Sequence, residues 1–229
     1  MAKEQTPIAV YLEAGQKKTF AGALDWPGWC RSGRDEASAL AALVEYAPRY
    51  AKIFSRTQLA FTPPGDPGAF AVAERLKGNS TTDFGAPNLA PKHDAEPFDE
   101  AERVRSEAIL AAIWRTFDHA VNAAEGRELR KGPRGGGRDR DKIVRHVLGA
   151  DASYLHSLAQ KFSQNDDALL SDELKRTRAA IRAALVAGAR SEIPEKGPRG
   201  GKLWSPRYYV RRVAWHTLDH AWEIEDRIL

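Results

Sequence analysis

Near the end of the 229-residue chain, His216 and His220 stand four residues apart within Arg211-Arg212-Val213-Ala214-Trp215-His216-Thr217-Leu218-Asp219-His220-Ala221-Trp222. On a helix this spacing stacks two imidazoles one turn apart on one face. The same face carries Val213, Ile224 and, less centrally, Tyr209, so the histidines occupy places where a bundle helix would put Val or Leu. Burying two polar rings costs free energy unless each finds a partner. A metal ion satisfies both, since neutral imidazole is a common ligand; hydrogen-bonded core histidines are the other reading of the same spacing. A metal needs at least three protein ligands, and His146, beside the Ile143/Val147/Tyr154 stripe, is the best third candidate. His119 is open to three roles: fourth ligand, catalytic base facing a substrate, or surface residue. His156, ten residues after His146, reads as structural, and His93 as solvated. Asp118, Asp219 and Glu223 could accept the outer N–H of a ligating imidazole, or be solvated helix carboxylates.

The elements that must position these residues are four amphipathic helices. The first spans about 99–124, with Asp99 as cap and Glu102 in the capping-box relation. The second spans about 139–162, and the third about 171–187, stopping before Gly188. The fourth opens at Ser205-Pro206 and runs to about the C-terminus. Four such helices with mid-length loops predict an up-down-up-down bundle. Lys131-Gly132-Pro133-Arg134-Gly135-Gly136 precedes the second helix and Lys196-Gly197-Pro198-Arg199-Gly200-Gly201 the fourth. In that topology both loops lie at one end and form a basic, glycine-rich rim. Lys131, Arg134, Lys196 and Arg199 would then bind an anion, with amides at helix starts assisting. Flexible charged linkers are the plainer alternative. The Lys-[Ser/Thr] ending of a phosphate-binding P-loop is absent. One geometric tension follows: counted from their helix starts, His146 and His216 are offset by several Å.

Ahead of the bundle the pattern changes. Ile8–Glu13 and Lys18–Leu24 read as strands around a turn, and a short strand follows Pro27-Gly28. A helix is expected over about 35–54, and Phe70–Leu76 is another strand of the same sheet. Residues 79–97, rich in Gly, Pro, Asn and Asp, read as the linker. The expected class is α+β: a small antiparallel sheet with one helix (1–90), then the four-helix bundle (91–229). Residues 7–77 contain no histidine, and Cys30 reads as a structural thiol more than a nucleophile.

Composition bounds the partners. No apolar run approaches the roughly 20 residues of a membrane span, so no membrane partner is expected. A single cysteine excludes an intrachain disulfide and fits a reducing cytoplasm. Net charge is +4, yet residues 127–142 carry +4 and residues 195–212 carry +5, leaving −5 for the rest. This modest balance does not argue for nucleic acid.

Two resemblances fit these residues. Pro27-Gly28-Trp29-Cys30, Gly33 and Asp35-Glu36-Ala37, within residues 7–90, resemble the HicB-like domain, with one residue more in the Pro-Gly-Cys turn. HicB proteins are antitoxins, usually with a separate DNA-binding region; no helix-turn-helix or ribbon–helix pattern is present here. Ile143-Val144-Arg145-His146-Val147, Ala152-Ser153-Tyr154-Leu155 and His216-x-x-x-His220, across 98–229, resemble the DinB-like four-helix-bundle family. That resemblance implies a divalent metal, zinc or nickel, on His146, His216 and His220 with open coordination positions. It further implies thiol-dependent S-transferase or isomerase chemistry with a low-molecular-weight thiol; metal-assisted hydrolysis suits the same ligands. A small anionic substrate or thiol cofactor would then meet the basic rim. In the enzyme reading the first domain covers one side of the bundle, restricts access to the metal or makes a homodimer contact. The alternative is a non-catalytic binding or regulatory protein, its HicB-like domain pairing with a partner protein or RNA and the bundle serving as scaffold.

Overall fold

The computed structural model describes residues 6–131, 137–197 and 200–229. The class is α+β, and the chain divides into two compact units, Met1–Glu96 and Pro97–Leu229.

In the first unit, β1 (Ile8–Ala14), β2 (Thr19–Ala23) and β3 (Cys30–Gly33) form an antiparallel meander; α1 (Glu36–Ile53) and then β4 (Phe70–Lys77) follow. The sheet order is β3-β2-β1-β4, and β4 pairs parallel with β1. The sheet is therefore mixed, which corrects the expectation of an antiparallel one. β3 and β4 run the same way, and only a long crossover, here α1, can join them. Gly28, at φ 93°, makes the turn after Pro27. The turn delivers Trp29, wholly buried, whose indole N–H donates to the Leu43 carbonyl at 2.9 Å. Trp29 stacks on Tyr50, and the Tyr50 hydroxyl donates to the Pro27 carbonyl at 2.8 Å. Cys30 lies buried beside the Tyr11 hydroxyl.

Residues 79–96 are not a free linker. Asn79 caps the short α2 (Ser80–Phe84) in a capping box with Thr82. The wholly buried Glu13 carboxylate accepts from the Thr82 hydroxyl at 2.6 Å and from the backbone N–H groups of Asn88 and Leu89. A buried carboxylate needs several donors, and this segment supplies them. His93, expected to be solvated, sits between the carboxylates of Asp25 and Glu96.

The second unit holds α3 (Glu100–Ala123), α4 (Arg140–His156), α5 (Leu170–Ala189) and α6 (Pro206–Arg227). Asp99 caps α3 by accepting the Glu102 N–H, but the Glu102 carboxylate pairs with Arg207 and completes no capping box. α4 stops at His156, six residues short of the expected end; the chain reverses at Ala159, φ 57°. α5 continues through Gly188, which marks a close approach and not a stop: a Cβ there would lie 2.8 Å from the Pro206 ring.

The bundle is not up-down-up-down. Arg207, at the start of α6, donates to the Pro97 carbonyl beside the start of α3. At their far ends, Leu129 bridges Ile228. α3 and α6 are thus parallel neighbours. α4 runs against α6: Arg227 reaches the Arg138 carbonyl at one end, and Trp204 N–H donates to the Ser157 carbonyl at the other. α5 begins beside the start of α4, where Leu170 and Leu174 share a groove with Asp141 and Val144, and ends beside Pro206. The order is up-down-down-up, with α6 packed on α3 and α4, and α5 packed on α4 and α3. Thirteen residues separate α4 from α5. Extended, they reach about 43 Å, against roughly 26 Å for the 17-residue α4. The connection can therefore return along the whole helix, and it passes Arg145 at Asp166 on the way. Among the described residues no helix is long and apolar enough to cross a membrane.

Candidate metal centre

The antiparallel pairing of α4 and α6 removes the offset between the histidines. His146 is six residues from the start of α4, and His220 is seven from the end of α6. These two helix ends adjoin, so positions counted from the two N-termini run in opposite directions and the offset vanishes. His216 follows one turn deeper. The ring centroids of His146, His216 and His220 lie 4.6 to 5.0 Å apart. One ligand atom from each falls within 4.8 Å of the others, close enough to hold a metal ion.

The closest approach is His146 Nε2 to His216 Nε2, at 3.3 Å. Two nitrogens bound at about 2.0–2.1 Å in a tetrahedral arrangement are separated by about 3.3 Å. Two lone pairs facing at that distance must share either an N–H proton or a cation. His216 is 8% exposed, and burial, followed by the charges of His220, His146, Arg212 and Arg138, pushes its pKa down to about 2. Burial also lowers the pKa of the half-buried His146, with His220 and Arg138 adding to it. Both rings are thus held neutral, the form that ligates metal. His216 Nδ1 is buried with no hydrogen-bond partner.

His220 is oriented from outside. Its Nδ1 meets Glu223 Oε2 at 2.7 Å, and the Glu223 carboxylate also accepts from Arg227. As Nδ1–H donor to Glu223, His220 keeps its Nε2 lone pair free. The hydrogen bond from His220 is the first cause of the lowered Glu223 pKa, ahead of the charges of His220 and Arg227. Below His216 stand Tyr154, 6.0 Å between ring centroids, and Arg212, whose guanidinium donates to the Tyr154 hydroxyl at 3.1 Å.

The other expected site residues separate. His119 is exposed on α3 and outside the cluster. His156 bonds the Phe162 carbonyl, a structural role. Asp118 pairs with Arg178. Lys131 follows Arg130, tied to Arg227 at the histidine end. Lys196 bridges Lys202, two residues from Trp204, at the opposite end. The 22-residue α6, about 33 Å long, lies between them, so the two repeats form no common rim. Arg134 and Arg199 lie outside the described residues. A groove of about 340 Å³ between α3, α4 and α5 contains none of the three histidines, and its Arg178 and Arg140 pair with Asp118 and Asp141. Arg138 and Arg227 were missed in the sequence. Arg227 was findable, because it continues the His216–His220–Glu223 stripe by a further turn.

No family model, curated protein or solved structure matches the chain.

Proposed function

We propose that His146, His216 and His220 hold one divalent ion, zinc or nickel. In this reading the chain is a DinB-like metal-dependent enzyme of the thiol-dependent S-transferase or hydrolase type. The observation that carries it is the convergence of three imidazoles from α4 and α6, two of them at the edge length of a tetrahedral site. When bound, such an ion lowers the pKa of a coordinated water or thiol and polarises an oxygen for attack. The chain's own part is threefold. Burial keeps His216 neutral, Glu223 fixes the tautomer and direction of His220, and the half-buried His146 leaves one side accessible. Lys131 and Arg138 put positive charge at the same end, which suits an anionic substrate or thiol cofactor; Lys196 has no part in it.

The test is metal analysis of freshly purified protein, then titration of the apo form with Zn²⁺ and Ni²⁺. About one ion per chain is expected, lost in His216→Ala and in His220→Ala. Metal-dependent turnover with a low-molecular-weight thiol and an electrophile, or with a hydrolysable ester, then separates the two reaction types. Wild-type apo protein that takes up neither ion ends the metal reading.

A further inference from the structure

One side chain joins the histidine cluster to the basic loop beside it. The Arg227 guanidinium donates through Nη1 to Glu223, the carboxylate that holds His220. Through Nε it donates to the Arg130 carbonyl at 2.8 Å, and through Nη2 to the Arg138 carbonyl at 3.0 Å. The backbone of Arg227 takes part as well, its carbonyl accepting the Arg130 N–H at 2.6 Å. Gly137 leaves room for this: a Cβ at that position would lie 2.5 Å from Arg227 Nη2. Arg130 and Arg138 are the two flanks of the first Lys-Gly-Pro-Arg-Gly-Gly repeat. A planar guanidinium has five N–H donors in a fixed fork, and here they are shared among a carboxylate and two carbonyls. The Arg227 side chain is 15% exposed, so these bonds are partly shielded from water.

We propose that Arg227 is a positioning residue that couples the two flanks of this loop to the direction of His220, so that metal binding and the order of those flanks reinforce each other. This rests on the metal reading above. If Arg227 holds Glu223 in the position that aims His220 at the ion, an ion that fixes His220 must in turn favour the arrangement in which Arg227 grips both flanks; coupling between two sites is reciprocal. The matching loop at 195–203, at the other end of the bundle, shows no such connection among its described residues and serves as the control.

The experiment uses the full chain as wild type, Arg227→Gln and Arg227→Lys, with circular dichroism to confirm that each folds. Zn²⁺ affinity is measured by competition with a chromophoric chelator. Amide hydrogen exchange is followed at Glu128–Lys131 and Gly137–Asp139, with and without Zn²⁺. In wild type, Zn²⁺ should slow exchange at both flanks and leave Glu195–Lys196 and Lys202–Leu203 unchanged. Arg227→Gln should weaken Zn²⁺ binding by about 10–100-fold and abolish the metal-dependent protection. Arg227→Lys, which can neutralise Glu223 but cannot span both carbonyls, should recover part of the affinity and none of the protection. Wild-type Zn²⁺ affinity in Arg227→Gln, or flanks indifferent to Zn²⁺ in wild type, overturns the coupling and leaves the metal site standing. Failure of wild type to bind Zn²⁺ or Ni²⁺ overturns both.

Discussion

Asp151 on α4 is 3% exposed, and its Oδ1 is buried with no hydrogen-bond partner. Burial pushes its pKa up to about 8 from the ordinary 3.8, against the pull of Arg178. The native protein therefore keeps a proton that the unfolded chain releases. The stability attached to that proton is fully present below pH 3.8 and is lost as pH rises toward 8, after which the loss levels off. Each pH unit inside the window is worth about 1.4 kcal/mol. From pH 5 to pH 9 the wild-type fold should lose about 4 kcal/mol through this group. Asp151→Asn keeps the shape and cannot ionise, so it removes the slope. Urea unfolding of the metal-free protein at pH 5, 6, 7, 8 and 9 measures it. With an m-value near 2 kcal/mol/M, the midpoints of wild type and variant should diverge by roughly 2 M across the range. Parallel pH profiles for the two proteins would refute the reasoning and show that Asp151 is ionised in the folded state.

Further outcomes are expected elsewhere. His119→Ala should leave metal content and turnover unchanged, because the ring is exposed and is not among the clustered histidines; a loss of turnover at full metal content would restore it as a catalytic base. Lys196→Ala should not alter Zn²⁺ affinity or the KM of an anionic substrate, whereas Lys131→Ala should raise that KM; equal effects would contradict their placement at opposite ends. Cys30 is buried, so a thiol reagent should label it at the rate of global unfolding, and Cys30→Ser should retain metal and activity. Glu13→Gln should cost about 1–3 kcal/mol of first-unit stability by leaving buried donors poorly matched; an unchanged melt would show that the 79–96 segment is not held by that carboxylate.

The elements were legible in the sequence because apolar periodicity and caps are local. Asp35, Asp99, Asp139 and Ser205 stand at the starts of their helices and cap them. The strand at Phe70–Lys77 was legible for the same reason. What escaped were relations between elements. Nothing near Phe70 states which strand it joins; a helix between β3 and β4 permits a parallel partner but does not single out β1. Extending the second helix to about 162 shortens the connection to α5, and a short connection favours the alternating topology, which places Lys196 beside Lys131; with α4 ending at His156, the 157–169 segment leaves either direction open. The histidines survived that error because their identity depends on spacing within α6 and on one ring of α4. The error surfaced as the apparent offset between His146 and His216. Composition marks residues 79–96 as a linker and cannot reveal that Glu13, far away in sequence, needs their amides.

The up-down-down-up order has a topological consequence. His146 and His216 are 70 residues apart along the chain, and α5 lies wholly between them, contributing none of the three histidines. An ion shared by the two rings closes a covalent–coordinate ring with α5 as an enclosed arc. Unlike a disulfide, such a closure lasts only while the site is folded, so it would stabilise the native chain through the free energy of ion binding. α5 supplies no ligand, yet both of its connections would be tied by that ring, so loss of the ion would loosen the arc that carries it as well as the two helices that hold the histidines.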